Sequence, residues 1–148
     1  MEIWDDEIDS GWRTELARYE HLPIYKKSFD LAVFLEQAVS GFARRHKYGL
    51  GARLQSAAQD VLVRVVRVQN SSGDMRVSEL NELRVEIEAL KGLLNLAKEV
   101  QAFKSFNSYL HSSGIAVELG RQTEGWLKSC SAPRAPESRP ANPQGGRS

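Results

Sequence analysis

Apolar side chains between residues 80 and 97 recur at alternating steps of three and four. This spacing places them on one side of an α-helix, because the helix has 3.6 residues per turn. Such a helix is stable in water only when its apolar side packs against other helices. The pattern therefore predicts a helical bundle in the middle of the chain. The seam consists of Leu80, Leu83, Ile87, Leu90, Leu94 and Ala97.

Three further segments have helical periodicity. The first begins near Pro23, a residue tolerated in an opening turn, and ends near residues 44–48. The second covers about residues 50–70, and the fourth covers about residues 106–130. We expect the seam helix, third in order, to begin after Ser78 as its N-cap. Four helices of similar length joined by short connections predict an all-α, up-down-up-down four-helix bundle.

The first and third segments have apolar residues over more than one face. In the first, the predicted seam runs from Phe29 to Val39, and Leu31, Leu35 and Ala38 lie beside it. In the fourth, the predicted inward positions are Phe106, Tyr109, Leu110, Val117, Leu119, Trp126 and Leu127.

Charge divides the chain into three parts. Residues 1–20 hold seven acidic and two basic side chains, residues 21–130 have a net charge of +4, and residues 131–148 have +2. We interpret these as an acidic leader, a bundle domain and a disordered tail rich in Pro, Gly and Ser. The leader remains open between disorder and a short docked helix with Trp4 and Trp12 on its apolar side.

The chain has little of what catalysis or metal binding requires. Its only cysteine, Cys130, excludes an internal disulfide and a cysteine-rich metal site. His21, His46 and His111 have no second ligand three or four positions away, and there is no Glu-x-x-His pair. No secretory signal or long apolar run is present. We therefore expect a cytoplasmic protein that is not an enzyme and needs no cofactor, metal or membrane.

Basic side chains are concentrated in residues 41–70, which hold six Lys or Arg against one acid. Arginine suits phosphate, because its guanidinium can pair bidentately with two oxygens. From charge spacing alone, however, the solvated face of an ordinary bundle is the favoured interpretation of these charges. The candidate nucleic-acid contacts are first Arg44, Arg45, Lys47, Arg53, Arg64 and Arg67, and second Lys91, Lys98 and Lys104.

Four short motifs resemble one known family. Residues 22–31 (LPIYKKSFDL), 47–54 (KYGLGARL), 93–99 (LLNLAKE) and 125–129 (GWLKS) are similar, in this order, to segments of the accessory variability determinant (Avd) proteins of diversity-generating retroelements. Each motif is weak alone, but four at fitting intervals are fairly specific. The resemblance covers about residues 22–130 and leaves both ends outside it.

The resemblance implies a four-helix bundle that assembles into a barrel-like homopentamer. It also implies a non-enzymatic accessory protein that binds the element's reverse transcriptase and its template RNA or cDNA, supporting mutagenic reverse transcription and retrohoming. A basic outer surface belongs to that picture, and Arg53 lies in the matching turn. This sequence differs from the family in its acidic leader and in its moderate excess of positive charge. The chain also resembles the bundle protein encoded in intervening sequences of ribosomal RNA genes, which has a similar fold. The alternative function is therefore a scaffold that contacts only protein.

Self-association is also predicted from the residues themselves. On the third helix, Leu93, Leu96 and Val100 form a second apolar row beside Leu90 and Leu94. A single bundle core cannot easily bury both rows, and contact between subunits is the usual way to cover the second. We therefore expect a homo-oligomer, whose number of subunits, five, comes from the resemblance alone.

Overall fold

The computed structural model describes residues 22–131, which form four long helices and contain no β-strand. Neighbouring helices pack in chain order, and α4 closes back on α1, so the predicted all-α four-helix bundle is confirmed. The predicted leader and residues 132–148 of the predicted tail lie outside the described residues. The helices are α1 (Pro23–Ser40), α2 (Ala52–Gln69), α3 (Gly73–Glu99) and α4 (Phe106–Ser131).

The seam of α3 forms the centre of the core, as predicted. All six of its residues are at most 1% exposed. They pack with buried side chains of the other helices, among them Leu35 on α1, Val61 on α2 and Leu119 on α4. Burial of one such aliphatic side chain contributes roughly 1.5–3 kcal/mol. The seam therefore contributes much of the bundle's stability.

The face of α1 that packs into the core matches the predicted one only in part, because Val39 is buried as predicted but Phe29 is not. Phe29 is 45% exposed, whereas Leu31 and Leu35 are buried. Two apolar rows of equal period run along this helix, and the bundle has room for one of them. Ser28 is also buried on the core side, where its hydroxyl donates to the carbonyl of Tyr25 at 3.0 Å.

On α4 the prediction was wrong for Phe106, Leu110 and Val117, which are 60%, 50% and 44% exposed. The helix instead turns small side chains inward, including Ser112 and Thr123. Each of these hydroxyls donates to the carbonyl four residues earlier, at 3.0 and 2.8 Å. Their burial therefore leaves no hydrogen bond unmade, and sequence hydropathy cannot identify such positions as core.

Helix α3 begins at Gly73, five residues before the predicted N-cap Ser78. The added turn is tied to α2 by Arg76, whose guanidinium donates to the carbonyls of Val68 and Gln69 at 3.2 and 3.3 Å. Both carbonyls lie in the last turn of α2, and that of Val68 also accepts from the Ser71 amide at 3.2 Å. A contact between helices thus extends α3 beyond its local start signal.

The connection from α1 to α2 is more helical than its glycines suggest. After a single turn at Arg44–His46, residues Lys47–Gly51 form a π-helical segment that leads directly into α2. Gly51 is buried there, and a Cβ added to it would lie 2.6 Å from Cγ1 of Val39. The close approach of this segment to α1 therefore requires glycine at position 51.

We predict that Gly51→Ala lowers the free energy of unfolding by about 1–3 kcal/mol, because the added methyl overpacks a rigid site. The matched control is Gly49→Ala in the same segment, where an added Cβ has no heavy atom within 4 Å. We expect that change to be neutral or slightly stabilising. Urea unfolding followed by circular dichroism measures both. Equal stabilities of the two variants would contradict the proposed close packing.

A candidate nucleic-acid interface

The α1–α2 and α3–α4 connections meet at one end of the bundle. The ring of Phe42 contacts that of Phe103 edge-on, with 5.3 Å between centroids. The aliphatic part of Lys104 lies beside Gly41. Because the connections meet here, they bring together basic residues that are far apart in sequence. We call this surface the basic end, and it comprises Arg44, Arg45, Lys47, Arg53, Lys98 and Lys104.

The basic end has a strong local excess of positive charge. Residues 37–59 contain four Lys or Arg and no acidic residue. Arg44, Arg45 and Arg53 are exposed. Glu99 is an acidic side chain at this end, and its carboxylate lies 3.5 Å from Nζ of Lys98. The surplus of cations leaves this surface able to attract phosphate.

Arg64 lies away from the basic end and bridges two helices. Its Nε and one terminal nitrogen donate to Glu86 at 3.0 and 2.9 Å, and the other terminal nitrogen donates to Glu79 at 2.7 Å. The side chain is 20% exposed. Hydrogen bonds from the guanidinium to Glu86 and Glu79 raise the pKa of Arg64. All three nitrogens therefore link α2 to α3, although a role of Arg64 in nucleic-acid binding stays a prediction.

Two other predicted contacts also lie apart from the basic end. Arg67 is exposed in the last turn of α2, near the opposite end of the bundle. Lys91 is half-buried in the second half of α3, two turns before its end, and pairs with Glu88 at 2.8 Å. The fold thus gathers six of the nine predicted contacts and leaves three elsewhere.

Aromatic side chains at the basic end were not predicted as part of the site. Phe106 and Tyr109 were assigned to the core, yet Phe106 is 60% exposed. Nζ of Lys98 lies 5.2 Å from the ring centroid of Tyr109. The available sequence signal is the mixture of lysines and aromatics in residues 98–109 (KEVQAFKSFNSY).

No helix within residues 22–131 is both long and apolar enough to cross a membrane. The model of the bAvd-like family matches residues 22–130, well over half of the chain. The chain belongs to the bAvd-like family. A comparison with curated proteins gives no match. Membership indicates an accessory, non-catalytic protein of a diversity-generating retroelement.

We predict that Arg64→Gln lowers the free energy of unfolding by about 1–3 kcal/mol, since two partly buried carboxylates lose a charged donor. Arg53→Gln, on the exposed side of the same helix, is the matched control. Its stability should stay within about 0.5 kcal/mol of wild type. Thermal and urea unfolding of both variants provide the test. An Arg64 variant as stable as the Arg53 variant would show that the bridge contributes little.

Proposed function

We propose that this bAvd-like protein binds the template RNA and cDNA of its retroelement through the basic end. The observation that carries this proposal is that two connections and the helix turns beside them place six cationic side chains at one end of the bundle. Neutralisation of several phosphates releases condensed counterions, which favours binding to any nucleic acid. The interaction therefore has little sequence preference and depends strongly on salt.

The reverse transcriptase of the same element is the proposed protein partner. Support comes from membership of the bAvd-like family, whose proteins are accessory to such elements. In this role the bundle holds template and product close to the polymerase and performs no chemistry itself. A neighbouring reverse transcriptase gene flanked by template and variable repeats is the observation that would favour this partner most directly.

We propose that the active form is a homo-oligomer, a pentamer by resemblance to the Avd proteins. The apolar outer row of α3 supports self-association. Val85, Leu96 and Val100 are 62%, 49% and 36% exposed, and Ala89 and Leu93 lie between them on the same side. We call this surface the α3 outer row. Assembly through it would also multiply the number of basic ends available to one nucleic acid, which raises avidity.

A scaffold that contacts only protein is the second candidate. The observation in its favour is that apolar exposure is not confined to α3, since Phe29 and Val33 are 45% and 42% exposed on α1. Exposed apolar rows are typical of surfaces that bind other proteins. Nucleic-acid binding decides between the two candidates.

We predict that replacing Arg44, Arg45 and Arg53 together by Gln lowers affinity for RNA and flattens the dependence of affinity on salt. Each lost phosphate contact should reduce the slope of log K against log salt by roughly 0.7–0.9. Fluorescence anisotropy with a labelled RNA over a series of salt concentrations measures both quantities.

The matched control replaces three lysines at the opposite end, Lys26, Lys27 and Lys128, by Gln. It removes the same number of charges but leaves the basic end intact. Arg64 is left unchanged in both variants because it links α2 to α3. If the two triple variants bind RNA equally well, the basic end is not the interface, and the protein scaffold becomes the better account.

We predict that light scattering gives a mass several times the 16.6 kDa of one chain. Leu96→Glu should reduce this mass, because a charge in the α3 outer row is costly to bury between subunits. Val63→Glu is the control, since Val63 is 53% exposed on α2 and lies outside that row. A wild-type mass of 16.6 kDa at micromolar concentration would rule out stable self-association.

A further inference from the structure

A small cavity opens at the basic end, between the last turn of α3 and the first turn of α4. Its volume is about 340 Å³. This lies at the lower end of the range of pockets that hold small ligands, roughly 300–1,000 Å³. No described residue that lines it is acidic. The lining includes Lys98, Gln101, Phe103, Lys104, Phe106 and Tyr109.

The aromatic rings of this cavity form a continuous series. The centroids of Phe103 and Tyr109 lie 6.2 Å apart, and those of Tyr109 and Phe106 lie 5.6 Å apart. Tyr109 is held in place by its hydroxyl, which donates to Oδ1 of Asn95 at 2.8 Å. Phe106 is the outermost ring and is 60% exposed. A fixed inner ring thus supports an outer ring that is accessible to solvent.

The backbone at the rim is strained. Gln101 has φ 58°, in the left-handed region that favours glycine. It follows the end of α3, where the Gln101 amide donates to the carbonyl of Lys98 at 3.0 Å and the Ala102 amide to that of Ala97 at 2.8 Å. This is the hydrogen-bonding pattern of a Schellman cap, which usually has glycine at this position. Backbone strain of this kind is often found at binding sites, and here it accompanies a polar amide side chain at the rim.

We propose that this cavity holds one unpaired base of the bound nucleic acid, with the base stacked on Phe106 and a neighbouring phosphate paired with Lys104. The inference deepens the proposed function and rests on it. It goes further in naming the preferred ligand, which is single-stranded RNA or DNA. The basic end alone would attract duplex and single strand alike.

The chemistry of the cavity fits a base better than it fits an apolar peptide. An aromatic face stacks on any base, since every base has a π-face, and cations beside it neutralise the backbone. Lys104 is exposed and available to phosphate, whereas Lys98 is half-buried against the Tyr109 ring. The amide of Gln101 can both donate to and accept from the edge of a base. In a duplex the base faces are covered by their neighbours, so only an unpaired base can enter.

The test compares a single-stranded oligonucleotide with the duplex of the same sequence, by anisotropy over a series of salt concentrations. Phe106→Ala should weaken binding of the single strand about tenfold, the size of one lost base–aromatic stack. Binding of the duplex and the salt slope should stay as in wild type. Phe106→Tyr keeps an aromatic face and should retain the affinity for the single strand. Leu110→Ala is the matched control, because Leu110 is an exposed apolar residue one turn further along α4 that does not line the cavity.

Several outcomes would overturn the inference. These are a Phe106→Ala variant that binds the single strand as tightly as wild type, one that loses both ligands equally, or one whose oligomer mass changes. Failure of the base-pocket inference is distinguishable from failure of the proposed function. If the triple arginine variant loses RNA binding but Phe106→Ala has no selective effect, only the proposed base pocket is ruled out. Absence of binding by the wild-type protein to either ligand removes both proposals.

Discussion

The packing of α3 against both of its neighbours is the constraint on which the rest of the structure depends. Its seam is buried between α2 and α4, and it is the longest helix, spanning Gly73–Glu99. Both ends of α3 depend on contacts outside the seam. Arg76 ties the first turn to α2, and the cap at Gln101 turns the chain towards α4. That cap closes on the carbonyl of Ala97, the last residue of the seam, and it sets the path of residues 100–105. The seam therefore indirectly positions the aromatic and basic groups of the candidate site.

Arginines have two different roles in this bundle, and the surroundings of each arginine indicate which role it has. Arg64 is paired with two carboxylates between α2 and α3, so its charge is used within the protein. Arg44 and Arg45 lie in a stretch of sequence without acidic residues, and their charge is directed to solvent. A partly buried pair gains from a low local dielectric, whereas exposed like charges repel one another until a polyanion neutralises them. The second group is therefore the one suited to nucleic acid.

The sequence was sufficient for the number of helices and for the seam of α3, because periodicity alone determines which side of a strongly amphipathic helix is buried. It was insufficient on α1 and α4. Each of these helices has two apolar rows with the same helical period, so periodicity alone does not determine which row faces the core. The burial of Ser112 depends on a hydrogen bond within its own helix that hydropathy does not register. The start of α3 and the pairing of Arg64 depend on contacts between helices, and Glu86 is 22 residues away from Arg64. The basic residues themselves were identifiable from sequence, but which of them converge was not.

The proposed base pocket and the proposed subunit contact are adjacent in the chain, which links assembly to binding. The α3 outer row ends at Val100, and Gln101 at the rim of the cavity is the next residue. In a ring of copies joined through this row, each pocket would lie beside a subunit boundary. A single base–aromatic stack is weak, but several stacks on one strand act together at a high effective concentration. On this account a dissociated subunit binds nucleic acid poorly even with every basic residue intact, and oligomer assembly sets the affinity as much as charge does.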